Sequence, residues 1–355
     1  MTKPPSPLDP NASDIHQRKA DHIRIVLEDD VGFGRLTTGF EQVQFVHQAL
    51  PELSLKDIDL SANLFGKPMK APFLIISMTG GPEKAERINS HLGEAAQELG
   101  LGFAVGSQRI GLEQQGDKGL NKDLRRRAPS IPLIGNLGAA QILGREGLKN
   151  ALNAVEMIEA DGLYIHLNPL QEAVQIGGDT DWRGVLDALS HLVKEGVPLA
   201  VKEVGFGLSA QVIRQLTDIG VTVIDIAGAG GTNWARVEGA REAESHLSKV
   251  AANFTEWGIP TAQAVISARE VAPTATLVAS GGITTGVEAA KAIHLGADVV
   301  GQAASTLEAA LTSTESVIEH FQVMIDSLRI ACFCTGSKDL KALKKAKLLE
   351  NKLTY

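Results

Sequence analysis

The sequence predicts a (β/α)8 barrel, and three observations carry that expectation. Eight short runs between Ala71 and Ala303 are almost continuously apolar: APFLIISM, GFAVGS, PLIGNLG, GLYIHLN, PLAVKEVG, VTVIDIAG, TLVASGG and DVVGQA. Strands buried on both faces read this way, whereas half-exposed strands alternate. Between the runs lie amphipathic stretches such as AERINSHLGEAAQELG, several closing on a glycine (Gly100, Gly196, Gly220, Gly296) at a helix C-cap. Polar or glycine-rich residues gather at the C-terminal end of nearly every run, where barrels of this kind place their chemistry. A doubly wound open sheet would not need eight units so evenly spaced.

Taken in order, residues 1–15 hold Pro4, Pro5, Pro7 and Pro10 and read as a disordered tail. Residues 16–355 then form one domain, in which the stretch before Ala71 adds strand-like and helical caps. The strand ends supply, in turn, Met78-Thr79-Gly80-Gly81, Ser107-Gln108-Arg109, Asn136, His166 to Glu172, and Lys202-Glu203. Residues 229–275 are long for one loop and helix, which predicts an insertion at the barrel mouth after strand six. Strands seven and eight end in Ser280-Gly281-Gly282 and Gly301-Gln302-Ala303. From Asp339 onward, Lys341, Lys344, Lys345 and Lys347 read as a basic amphipathic helix with a solvated face.

Composition removes several function classes. There are 34 Lys and Arg against 42 Asp and Glu, a net charge of −8, which argues against a nucleic-acid binder. Two cysteines, Cys332 and Cys334, cannot frame a disulfide scaffold and lack companions at zinc spacing. No run approaches the roughly 18 apolar residues of a membrane span, and the first residues lack the apolar core of a signal peptide. A cytoplasmic protein is expected.

The strand-end residues point to anion and cofactor chemistry. Gly281 and Gly282 let backbone approach a ligand closely, and a helix starting near Thr285 would aim its amides at a phosphate. The turn at Gly301 completes the phosphate cup known for this fold, and Gly230-Gly231-Thr232 could add to it. Lys202 lies inside an apolar strand, where a lone cation is costly unless paired. Either it pairs with Glu203 or Asp225, or it faces a flavin edge that gains negative charge on reduction. Glu203, as its neighbour on a strand, points the other way. His166 and Asn168 share one side of their strand, with Gln171 and Glu172 on the loop beyond. A single carboxylate with no His/Cys cluster suits Mg²⁺, which also takes phosphate oxygens.

Together RKADHI, MTGG, GSQR, GNLGAAQ, HLNPLQE, AVKEVGFG, AGAGGTNW and ASGGI resemble the type 2 isopentenyl-diphosphate isomerases, the flavin-dependent class. The likeness runs from about Arg18 to about Ala303, and HLNxxQE with MTGG is its most specific part. It implies FMN contacts from Met78, Thr79, Gly80, Ser107, Asn136, Lys202, Thr232, Gly281, Gly282 and Ala303. It implies diphosphate contacts from Arg18, Lys19, Arg109 and His166, with Asn168 nearby. Gln171 would face the allylic carbons as the catalytic residue, and Glu172 would hold Mg²⁺. The implied reaction exchanges isopentenyl and dimethylallyl diphosphate in isoprenoid biosynthesis, using FMN reduced beforehand by NADPH, in a homo-oligomer (tetramer or octamer). The phosphate cup and the lysine are shared with FMN-dependent α-hydroxy-acid oxidases, the alternative reading. Those enzymes use a His-Arg pair late in the barrel, and SGGITTG offers no such His. Gln302 departs mildly from expectation by placing a constrained residue in the last turn.

Overall fold

The computed structural model describes residues 10–76, 83–113, 120–243 and 245–350. Eight parallel strands close into a barrel: β1 (Phe73–Ile76), β2 (Gly102–Ala104), β3 (Leu133–Gly138), β4 (Gly162–His166), β5 (Leu199–Lys202), β6 (Val223–Asp225), β7 (Thr276–Ala279) and β8 (Val299–Gln302). Each pairs with its sequence neighbours, and β8 returns to pair with β1. Every predicted run contains one strand. The four glycines expected at helix ends have φ between +67° and +129°, the left-handed region that lacks a Cβ penalty.

Side chains alternate between the barrel lumen and the surrounding helices. The inward set is Leu74, Ile76, Ala104, Ile134, Tyr164, Ala200, Val223, Val278 and Val299, joined by Leu64 and Met69. Those last two come from a hairpin, Ala62–Leu64 against Lys67–Met69, that stoppers the N-terminal end of the barrel. Phe65 at its turn lies against Gly162, where a Cβ would come within 2.4 Å of the ring. The outward-facing strand residues pack on the helices in one large cluster that includes Phe73, Phe103, Ile165 and Leu277.

Two elements cover the opposite, C-terminal mouth. The expected insertion after β6 is real and helical, with Trp234–Arg241 and His246–Ala251. A helix from Pro10 to Glu28 packs against the first of these. Residues 10–15, expected to be tail, are therefore helical; proline is tolerated in a first turn because its missing N–H has no partner there. Residues 1–9 lie outside the described residues. The C-terminal basic helix is shorter than expected, Leu340–Leu343, because Leu343 is fully buried and Lys344 turns to Asp298 at 2.5 Å. Among the described residues no helix is long and apolar enough to cross a membrane.

Candidate active site

The barrel mouth encloses a cavity of about 580 Å³, into which β3, β4 and β5 project Asn136, His166 and Lys202. A chain of hydrogen bonds sets the first two. Gln108 donates to Ala154 O (2.9 Å) and accepts from Asn136 N (2.8 Å), and Asn136 Nδ2 donates to Val105 O (3.1 Å). Asn136 Oδ1 is thereby left to face His166 Nδ1 at 2.8 Å. The His166 Nδ1 must carry the proton, so Nε2 is an acceptor. Burial, then Lys202 and Lys19, pull its pKa down to about 3, so the ring is neutral near pH 7.

Lys202 is 8% exposed and donates to the backbone oxygen of Glu203 at 2.5 Å. The Glu203 carboxylate turns away, as strand alternation requires. Its Oε2 accepts from Val204 N, Gly205 N and Phe206 N at 2.6, 2.6 and 2.5 Å. Burial lowers the Lys202 pKa, with Asp225 and Glu203 opposing.

Beyond β4, Gln171 and Glu172 sit in the first turn of a short helix, Pro169–Val174, and not on the loop the sequence suggested. Pro169 at its start favours that turn. Asn168 Nδ2 donates to Gln171 Oε1 (3.1 Å) and Glu172 Oε1 (2.9 Å). Gln171 Nε2 donates to Glu238 Oε1 at 2.9 Å, across 67 residues of chain. Glu238 also faces His22 Nε2 at 2.9 Å and pairs with Arg241 at 2.9 Å. Burial alone would raise its pKa, but His22, Gln171 and Arg241 overcome that and hold it at about 2. Glu172 Oε2 accepts from Asp179 N at 2.8 Å, and Asp179 pairs with Arg109 at 3.1 Å.

The N-terminal helix brings Arg18 and Lys19 over the mouth of its own chain. Lys19 Nζ donates to Ser107 O at 3.3 Å. With its amide oriented to suit its neighbours, Gln175 accepts from Arg18 at 3.0 Å and donates to Glu238 at 3.2 Å.

The far wall is backbone. Gly230, Gly281 and Gly282 have φ of +125°, +102° and +74°. A Cβ on Gly281 would stand 2.0 Å from Gly228 O, and one on Gly231 2.6 Å from Gly282 N. Thr261, wholly buried, donates to Gly281 O at 2.6 Å and fixes this approach. Thr232 and Ala303 reach the cavity beside it. Gln302 explains itself here: it donates to Ile283 O (2.9 Å) and faces His320 Nε2 (2.7 Å), tying the β7 and β8 turns together. The helix Gly286–Leu295 is a correction. Its N-terminus carries a capping box in which Glu288 accepts from Thr284 N and Thr285 N and Thr285 Oγ1 accepts from Glu288 N, so those three amides are taken within the chain rather than open to an anion.

Of the expected site residues, Arg18, Lys19, Ser107, Arg109, Asn136 and His166 line one cavity. Asn168, Gln171, Glu172, Lys202, Thr232, Gly281, Gly282 and Ala303 complete it. Met78, Thr79 and Gly80 lie outside the described residues. Sequence reasoning missed Glu238, His22 and Gln175. Helical spacing was a usable signal for two of them, since His22 is four residues after Arg18 and Gln175 four after Gln171. Nothing local marked Glu238. The donor set suits the expected groups: the crossed glycine turns form a cradle that a Cβ would fill, and Glu172 offers a lone half-buried carboxylate. Among the described residues no cluster of three or more His, Cys, Asp or Glu side chains could hold a metal alone.

A family model described as FMN-dependent dehydrogenase matches residues 166–350. The chain is 60% identical to the isopentenyl-diphosphate delta-isomerase of Xanthobacter autotrophicus, over 94% of this chain and 97% of the relative. It is 57% identical to that of Cronobacter sakazakii, over 94% and 97%. With that of Nostoc sp. it shares 44% over 97% and 98%. Among solved structures, a flavocytochrome b2 mutant with pyruvate bound superposes with a TM-score of 0.66 at 14% identity, covering 97% of this chain and 85% of that one. An (S)-mandelate dehydrogenase gives 0.64 at 16% identity, covering 95% and 98%. These structural likenesses establish the barrel fold alone.

Proposed function

Because this chain belongs to the isopentenyl-diphosphate delta-isomerase family, we propose that it interconverts isopentenyl and dimethylallyl diphosphate with reduced FMN. The observation that carries this reading is the meeting, in one cavity, of a cationic rim (Arg18, Lys19, Arg109), a neutral His166 and the Asn168–Gln171–Glu172 cluster. The chemistry needs one proton added to an isolated alkene and another removed. Reduced FMN, when bound, supplies an electron-rich surface and a proton carrier suited to a cation-like transition state.

The glycine turns at Gly281 and Gly282, with Thr232 and Ala303, would hold the FMN phosphate. Ser107, Asn136 and Lys202 would line its ring, with Met78, Thr79 and Gly80 following β1. Arg18, Lys19, Arg109 and His166 bind the diphosphate, and Asn168 holds the Gln171 and Glu172 side chains in place. Glu172 would hold one Mg²⁺, which would supply positive charge to offset that of the diphosphate. Gln171, whose amide donates to a Glu238 held ionised, would orient the alkene or relay a proton next to the flavin. NADPH is the reductant in this reading. Val287, Val323 and Ile330, exposed at 46%, 62% and 50% on two packed helices, support a homo-oligomer.

The oxidase alternative loses support from the cavity itself. Among the described residues the histidines lining it are His22 and His166, from the N-terminal helix and β4, and neither comes from the late strands. The deciding experiment is the absorption spectrum of the purified protein, followed by incubation with isopentenyl diphosphate and reductant in D₂O. We expect a flavin spectrum and deuterium in the allylic positions. A flavin bleached by a hydroxy acid, with no exchange, would overturn the isomerase reading.

A further inference from the structure

At the cavity floor lies a polar layer within an otherwise aliphatic lumen. Tyr164 on β4, Lys202 on β5, Asp225 on β6 and Ser280 just after β7 come from four successive strands. Lys202 and Asp225 are register partners. Asp225 is 0% exposed. Its Oδ1 accepts from Ser280 Oγ at 2.5 Å and Ala227 N at 3.3 Å, while Oδ2 and the Tyr164 hydroxyl, both buried, have no other partner and interact with each other. A carboxylate set so deep is costly to fold around. Leucine or valine would fill the layer more stably.

The charged and titratable groups facing Lys202 are few. His166 and Tyr164 stand on β4, Lys19 reaches in from the N-terminal helix, Glu203 follows on its own strand, and Asp225 is on β6. His166 is neutral, Lys19 is a like charge, and the Glu203 carboxylate is engaged by three amides. Asp225 is the anion left to balance the cation.

We propose that Asp225, seated by Ser280 and Tyr164, is a positioning residue that keeps Lys202 protonated at the cavity floor. This rests on the reading that FMN lies over Lys202. A buried ammonium sheds its proton unless a carboxylate stands near, and the two hold each other ionised. Burial raises the Asp225 pKa and lowers that of Lys202, and each opposes the shift of the other.

The test is the reduction equilibrium of bound FMN against a reference dye at about pH 6.5 and about pH 9, for wild type, Asp225→Asn and Lys202→Met. Lys202→Met should lower the reduced-to-oxidised ratio at both pH values. Asp225→Asn should stay near wild type at the lower pH and fall about tenfold or more toward Lys202→Met at the higher, one pKa unit being a tenfold change. A structural role alone would not make the deficit depend on pH. If Asp225→Asn follows wild type at both pH values, the proposal is overturned. If Lys202→Met itself shifts nothing, the FMN reading of Lys202 fails and takes this proposal with it. Should Asp225→Asn not retain FMN, Tyr164→Phe gives the same direction with a smaller amplitude, and a profile parallel to wild type overturns the idea.

Discussion

The two walls of the cavity are made of different materials. On the β3–β5 side, side chains do the work: Asn136, His166, Lys202, Asn168, Gln171 and Glu172 form hydrogen-bonded chains that fix tautomers and charges. On the β6–β8 side, Gly230, Gly281 and Gly282 bring main chain against main chain, and the nearest side chains brace that backbone from behind. A group with several rotamers must be held by partners, whereas a peptide unit is already rigid. The side-chain wall therefore suits a reacting substrate and the backbone wall a permanent occupant. Substitutions on the two walls should fail in different measurements.

The largest effect belongs to the backbone wall. Gly281→Ala must adopt φ near +102° and push a methyl into Gly228 O, a cost above about 2 kcal/mol. FMN affinity should fall by roughly thirtyfold or more, read by fluorescence of released flavin. Retained affinity would mean that the two glycine turns do not cradle the phosphate. Next comes Gln171→Ala, which should lower kcat by roughly a hundredfold with FMN bound normally. A rise in KM alone would move Gln171 from the reacting end to the binding end. Arg18→Ala removes a charge-assisted contact worth about 1.5–3 kcal/mol, so KM should rise by roughly tenfold to a hundredfold with kcat preserved. An unchanged KM would return that helix to a merely covering role.

Two smaller effects sharpen the contrast. The His166 ring is neutral in the fold with its pKa at about 3, against an ordinary 6.5. Folding therefore excludes its proton, so its contribution to stability is complete above about pH 6.5 and is lost as pH falls from there toward 3. His166→Gln should flatten that limb of the denaturation profile, and an unaltered slope would show the ring to be ordinary. The smallest change is Gly144→Ala. Its φ is +73° but nothing lies within 4 Å of the added methyl, leaving only conformational strain of about 1–2 kcal/mol. A drop in Tm of a few degrees with FMN affinity intact would confirm that Gly281 matters for contact as well as conformation.

The barrel was legible because buried parallel strands leave a continuous apolar signature, and all eight runs carried it. The site was legible wherever a polar residue ended such a run. The rest was hidden for geometric reasons. Glu238 meets Gln171 only because an insertion folds back over the mouth, and no local pattern encodes a contact spanning 67 residues. The cap at Thr285 was misread because free amides and a self-closed capping box begin with the same residue types; Glu288, three residues on, was the signal to weigh. The helix that opens at Pro10 was masked by prolines, which mark both tails and helix starts.

The hairpin around Phe65 gives the first seventy or so residues a double duty. Their beginning lies across one pole of the barrel as Pro10–Glu28, and their end plugs the other with Leu64, Phe65 and Met69. The leader is thus a strap rather than an appendage. A barrel cut to start at β1 would open at both poles at once, exposing Gly102 and Gly162 below while removing Arg18 and Lys19 above. Transplanting this active site onto another barrel would have to carry the strap, with its length matched to the height of the new barrel.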